Sequence, residues 1–241
     1  PPFELWENGA FAGSFPDPYS SEAFAHLAGS LAVAPRRVLA LGPVERGALR
    51  FLLLHGVERL DLVVPDPHAF AFIRDRLPPE DLRALLDPRV RVVKDDPRRL
   101  LGRSPSTWDL VLLAVADPVT LARARLLTVE SFRSAAARLE RRGALVVTLR
   151  TAPASLAGET AALAGSVYGA LRAAFPVVRA TPGPETPFVA GFDAEAVTRL
   201  PDVSAYKLVA VLIERLAREE LGKPIVANIV ALGVIVKLSR C

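Results

Sequence analysis

Few residues in this chain combine the type and the spacing that chemistry needs. Three aspartates stand beside prolines, in Pro65-Asp66-Pro67, Asp96-Pro97 and Asp117-Pro118. A carboxylate in such a place can take a proton or bind hydroxyls. The same residue beside a proline also caps a helix or a turn. Both readings stand for Asp66, Asp96 and Asp117. Gly42 and Gly47 bracket Pro43-Val44-Glu45-Arg46. A dinucleotide fingerprint needs a further glycine between them, and none is there. Tyr19 can stack on a ligand or cover a sheet edge. His26, His55 and His68 lack metal-ligand spacing to one another and to Cys241, so no metal site is expected. Glu130 precedes a helix face and reads as structural.

These residues need elements to hold them. Arg37–Leu41 is an apolar run that ends in Gly42, the pattern of a buried strand entering a tight turn. Further strands are expected at 60–64, Val90–Val93, 109–113, 144–149 and, last, 188–190. Helices are expected at 47–55, 69–77, 131–141 with Gly143 at the stop, and 165–175. Apolar, β-branched strands alternating with helices imply a mostly parallel sheet covered on both faces, an α/β doubly wound fold. Ligands of such sheets sit beyond the carboxyl ends of the strands, near the switch in strand order. That brings together the loop after the first strand and the ends of the second and fourth.

Composition excludes several classes. At 241 residues, 51% hydrophobic and 23% charged, the chain affords a large core and is not a disordered tail. The net charge is +4, but arginines are scattered and no basic block with interleaved aromatics occurs. A nucleic-acid partner is therefore not expected. The single cysteine, Cys241, forms no internal disulfide, which fits a reducing, cytoplasmic setting. No charged-then-apolar leader pattern is seen. The longest apolar run, 225–236, is shorter than the ~20 residues a membrane span needs. Methionine is absent altogether, which suits a fragment or a chain with omitted positions. Turn signals at Thr181-Pro182-Gly183-Pro184 and Pro201-Asp202 divide the sequence. One domain is expected over 1–195 and a C-terminal helical segment over 202–241.

A group of motifs carries a family resemblance. These are Glu7-Asn8-Gly9 with Ser14-Phe15-Pro16-Asp17-Pro18-Tyr19, Leu39-Ala40-Leu41-Gly42 followed by Gly47-Ala48-Leu49-Arg50, and Asp87-Pro88-Arg89-Val90-Arg91-Val92-Val93 with Asp96. Asp109-Leu110-Val111-Leu112-Leu113, Asp117-Pro118, Leu127-Thr128-Val129-Glu130 and Gly143 continue it. Over about 5–192 the chain resembles the spermidine-synthase family. The resemblance implies a Rossmann-like sheet of the methyltransferase type. It also implies transfer of an aminopropyl group from decarboxylated S-adenosylmethionine to a polyamine amine. Such an enzyme needs a glycine-rich nucleoside loop, an acid for the ribose hydroxyls, an acid near the adenine amine, and an aspartate base. By resemblance the ribose acid is replaced by Val64 and the base by Ala114, whereas Asp96 is kept on the adenine side. Pro43 and Arg46 alter the loop. The expectation is a degenerate, non-catalytic domain serving as an accessory or scaffold protein. An S-adenosylmethionine-type nucleoside would bind only if the altered pocket still works, as in a methyltransferase-like alternative.

Residues 206–238 carry a second resemblance. Leu221-Gly222-Lys223-Pro224, then Ile225-Val226-Ala227-Asn228-Ile229-Val230-Ala231-Leu232-Gly233, is similar to the γ subunit of 2-oxoacid:ferredoxin oxidoreductases. That implies, as an alternative function, a γ-type component working with cofactor-bearing partner chains. Read from the residues, 225–236 is a helix apolar on nearly every side and needs burial. It is expected to pack on its own domain or to form a homodimer or partner interface.

Overall fold

Two short strands begin the described chain. β1 (Phe3–Glu7) and β2 (Ala10–Phe15) pair antiparallel. Gly9, at φ +79, supplies the left-handed turn between them. Next come α1 (Pro18–Ser30), β3 (Arg37–Leu41), a 3-10 turn at Val44–Arg46 and α2 (Ala48–Leu52). They are followed by β4 (Arg59–Val63), α3 (Pro67–Arg74), α4 (Pro79–Leu85), β5 (Val90–Val93) and α5 (Pro97–Arg103). β6 (Trp108–Ala116), α6 (Leu121–Ala124), a 3-10 turn at Arg125–Leu127, α7 (Val129–Ala136) and β7 (Leu139–Arg150) come after. The last are α8 (Gly158–Arg172), β8 (Val177–Ala180), β9 (Glu185–Gly191) and α9 (Ala194–Val197). In this computed structural model the described residues are 3–197, apart from 8, 33, 117, 119, 151–157 and 181–184. The chain divides into units Pro1–Arg199 and Leu200–Cys241, and the C-terminal segment expected at 202–241 lies outside the described residues.

Seven strands form one sheet in the order β5-β4-β3-β6-β7-β9-β8. The first five run parallel, and β9 is antiparallel to both of its neighbours. This is the α/β, doubly wound, mostly parallel sheet expected. Its central strands are mostly apolar because both faces are covered. In β3 and β4 every residue after the first is buried. One core layer sets Leu39, Val111, Leu145 and Val147 with Phe132, Leu171, Phe175 and Phe188. β3 pairs with β4 on one side and β6 on the other, so the chain reverses its winding there. Adjacent loops then diverge and leave a crevice at the carboxyl ends of these strands.

Several expected bounds move. The helix expected at 47–55 is a 3-10 turn followed by the short α2, because Gly47 at φ +125 breaks the path. The helix expected at 131–141 stops at Ala136, and Leu139 already pairs with Trp108 in the sheet. The strand expected at 188–190 is the longer β9. The β1–β2 hairpin, α1, α4, α5, α6, β8 and α9 were not foreseen.

At the amino-terminal edge of the sheet, Asp61 is 1% exposed. It accepts hydrogen bonds from Trp108 Nε1 at 2.9 Å and Arg91 Nε at 2.8 Å, with Arg59 Nε at 3.3 Å. A charge taken this far from water needs such partners. The arrangement ties β4, β5 and β6 together at the end opposite the crevice.

Candidate ligand-binding cleft

The cleft begins where β3 ends. Gly42 follows Leu41 with φ +136, and a Cβ built there would lie 2.5 Å from the Ala114 carbonyl oxygen and 3.0 Å from its Cβ. Only glycine lets the turn after β3 come so close to β6. Gly47, at φ +125, closes the turn against α1, where a Cβ would meet Ser21 Oγ at 2.9 Å. The Ser21 hydroxyl donates to the Arg46 carbonyl at 3.4 Å. Between the glycines, Glu45 is 6% exposed and its carboxylate stands 3.5 Å from Arg46 Nε. Burial pushes the Glu45 carboxyl above its ordinary range, and the Arg46 charge opposes this only in part. Arg46 also reaches the hairpin, since a Cβ on Gly13 would lie 3.5 Å from its Nη1.

β4 supplies the next wall. Val64 is buried, and its N–H donates to the Val93 carbonyl at 2.8 Å. Asp66 caps α3 by accepting from the N–H groups of His68 at 2.9 Å and Ala69 at 3.1 Å. The Ala69 bond, with that of His68, holds the Asp66 carboxyl below the usual range. Asp96 caps α5 by accepting from Arg99 N–H at 3.0 Å, and it pairs with Arg125. Both aspartates therefore perform the helix-capping role that was one of their two readings. β6 brings Ala114 to the cleft from the other side.

The resulting cavity, of about 480 Å³, is lined by Gly42, Asp66, Asp96 and Ala114 together with Val64 and Arg46. Sequence reasoning thus assembled residues that do share one site. Gly47 is not on its wall; it packs against Ser21. Tyr19 lies in the first turn of α1, and its side chain is outside the described residues, as is Asp117. The reading missed Trp6, Phe70, Phe72 and Ile73, which form much of the apolar wall. Only a prediction of the hairpin could have pointed to Trp6. The histidines hold one surprise. His26 Nδ1 and His55 Nε2 are 3.0 Å apart, although 29 residues separate them in sequence. Burial, and then the neighbouring His26, lower the His55 pKa below its ordinary value. Among the described residues no group of three metal-binding side chains occurs, and no helix is long and apolar enough to cross a membrane.

Comparison with known proteins fits this geometry. The family described as Spermine/spermidine synthase domain matches residues 18–157. The polyamine aminopropyltransferase of Synechococcus sp. (strain JA-3-3Ab) is 37% identical over 115 residues, which cover 47% of this chain and 37% of that protein. That of Korarchaeum cryptofilum is 33% identical over 114 residues, 47% of this chain and 35% of that one. The match thus spans little more than a third of the length of these curated relatives. Among solved structures, the spermidine synthase of Thermotoga maritima gives a TM-score of 0.66 at 19% identity, covering 85% of this chain and 70% of that one. Human methyltransferase-like protein 13 in complex with SAH gives 0.56 at 15% identity, covering 78% and 88%. Likeness at these identities establishes the fold. These matches lend no support to the oxidoreductase resemblance of 206–238, which lies outside the described residues. With well over half of its length matched, and with the motif residues gathered at one cleft, the chain belongs to the spermine/spermidine synthase family.

Proposed function

We propose that this chain is a non-catalytic member of its family, an accessory or scaffold domain that keeps the cleft of the fold but not the aminopropyl-transfer chemistry. The observation that carries this reading is Ala114, which stands at the cleft where the resemblance assigns the proton acceptor. A methyl group cannot deprotonate an attacking amine. The nucleoside positions fit poorly as well. Val64 offers ribose no acceptor, and each lost charge-assisted hydrogen bond weakens binding by about 1.5–3 kcal/mol. Pro43 removes an N–H from the loop, and Arg46 adds a cation where a sulfonium-bearing substrate would approach. The carboxylates of Asp66 and Asp96 are already used as helix caps.

The test incubates the full chain with decarboxylated S-adenosylmethionine and putrescine, with product read by mass spectrometry. No polyamine product is expected from the wild type, nor from Ala114→Asp alone, because a base without a bound nucleoside has nothing to act on. Product from the wild type overturns the reading. As the second part of the proposal, residues 206–238 associate two copies of the chain. An apolar helix face left bare is rare on monomers, and a two-fold contact is the commonest way to cover one. Sedimentation should show a dimer that Val230→Glu converts to monomer; a monomeric wild type at tens of micromolar removes this part.

A further inference from the structure

If the nucleoside positions are lost, the cleft is left with a chemistry of its own. Leu41, Val63 and Val64 line it from the ends of β3 and β4, and Phe70, Phe72 and Ile73 from α3. Trp6 joins them from β1. Trp6 is 62% exposed and Phe72 49% exposed. Scattered apolar side chains at a surface are ordinary, but here two large exposed rings border one cavity whose wall is mainly apolar. At about 480 Å³ the cavity lies within the ~300–1,000 Å³ usual for small-molecule sites.

The charged groups that line this cleft are engaged within the chain, Arg123 among them. Glu45 is matched by Arg46, and Asp96 by Arg125. The Asp66 carboxylate is held by the first N–H groups of α3. A polyamine or a sulfonium would have to compete with these internal partners. A ribose would bury hydroxyls against Val64 with no acceptor opposite, which disfavours it. What remains is apolar area bordered by Trp6, which packs edge-on against Phe11, and by Phe72, one face of which carries the Arg76 guanidinium; flat rings pack well against such rings.

Resting on the reading of lost nucleoside chemistry, the geometry points to a different occupant: a small, neutral, ring-bearing apolar molecule, without ribose or a cationic amine, seated against Trp6 and Phe72. The test uses N-phenyl-1-naphthylamine, a neutral fluorophore, titrated into the full chain. Ala69 is exposed on α3 and lines the cleft, so Ala69→Arg should fold and obstruct the site. Trp6→Ala, at an exposed position, removes a ring from its border. Saturable binding is expected, weakened about tenfold or more in both variants, roughly 1.4 kcal/mol, with unchanged far-ultraviolet circular dichroism. Adenosine and 5′-methylthioadenosine should not displace the fluorophore. Equal binding by folded Ala69→Arg and Trp6→Ala places the probe elsewhere and overturns the inference. Binding of neither fluorophore nor nucleoside overturns it too, while leaving the proposed function intact. Displacement by 5′-methylthioadenosine also overturns it, since the nucleoside site would then be working, while the lost base at Ala114 is judged separately by product formation.

Discussion

At Gly42 two requirements meet in one residue. Its φ of +136 belongs to a region that side-chain-bearing residues avoid, and a Cβ there would strike the Ala114 backbone at 2.5 Å. The obstacle is backbone, so it cannot swing aside as a flexible side chain would. Gly42→Ala should destabilise the fold by about 1–3 kcal/mol, the usual scale for forced backbone strain, as read by urea unfolding. Gly56→Ala, with φ +73 but nothing within 4 Å of the added Cβ, should cost less. A Gly42→Ala chain as stable as wild type would show that the turn after β3 is free to retreat from β6. Much of the site was legible at this scale, and for a physical reason. Gly42, Asp66 and Asp96 follow strands, and Ala114 lies near the carboxyl end of one, whose apolar runs are plain in the sequence; parallel strands deliver their carboxyl ends to one edge. Which reading of the aspartates applied was not legible. Capping depends on where the first turns of α3 and α5 begin, and that is settled by backbone geometry. The His26–His55 contact was hidden because it is made by packing α1 beside the segment after α2, and no spacing rule records that.

Asp61 shows how much one buried group can hold between elements. It sits on β4 and receives hydrogen bonds from Trp108 on β6 and Arg91 beside it on β5. Asp61→Ala would leave the buried Trp108 N–H without an acceptor, which costs about 1–3 kcal/mol. The two arginines are about half exposed, 45% and 56% at the side chain, so they can turn to water and add little. A loss of roughly 1–3 kcal/mol is expected in all, seen as an earlier urea midpoint. Asp61→Asn keeps an acceptor for Trp108 and should lose clearly less. Equal losses in the two variants would mean that charge, not the indole hydrogen bond, is what matters. Elements were legible where apolar runs are continuous: Arg37–Leu41 and Val90–Val93 have the expected bounds. They were illegible where pattern and context disagree. Leu139-Glu140-Arg141-Arg142 reads as the charged end of a helix, yet it extends β7, with Leu139 buried beside Trp108. Glu140 there accepts from Arg37 Nη2 at 2.7 Å and from the Thr107 hydroxyl, contacts that favour the strand. The β1–β2 hairpin has four small residues, Ala10, Ala12, Gly13 and Ser14, among aromatic ones and no strict alternation, so its period is weak. β8, with four residues, is too short to announce itself.

Across the whole molecule, acid should act in two stages set by groups far apart. The folded chain lowers the His55 pKa below its ordinary 6.5. As pH falls below about 6.5 the unfolded chain takes up a proton that the folded chain resists, so stability full above that pH declines on the way down. Asp87 behaves as a depressed carboxylate. Hydrogen bonds from Arg89 bring it from 3.8 to about 2. Its contribution is full above 3.8 and is lost as pH falls towards about 2. Arg89 also donates to the Leu53 and Val57 carbonyls at 3.1 and 3.2 Å, so this second stage loosens the turn before β5 from the loop before β4. Glu45 and Asp81 work in the opposite sense. Burial raises both, so their contribution is full at low pH and is lost as pH rises through their folded values. Glu45→Gln, which cannot ionise, should therefore lose less stability than the wild type as pH rises. In a Trp6→Phe background, Trp108 is the one remaining tryptophan, and its fluorescence follows the buried core. Urea midpoints measured this way should fall from pH 7.5 to 5 in the parent and fall less in His55→Gln. They should drop again below pH 4, more shallowly in Asp87→Asn. A parent midpoint that is flat between pH 7.5 and 5, or a His55→Gln chain that falls as far as its parent, would detach the first stage from the histidine pair and leave acid sensitivity to the carboxylates alone.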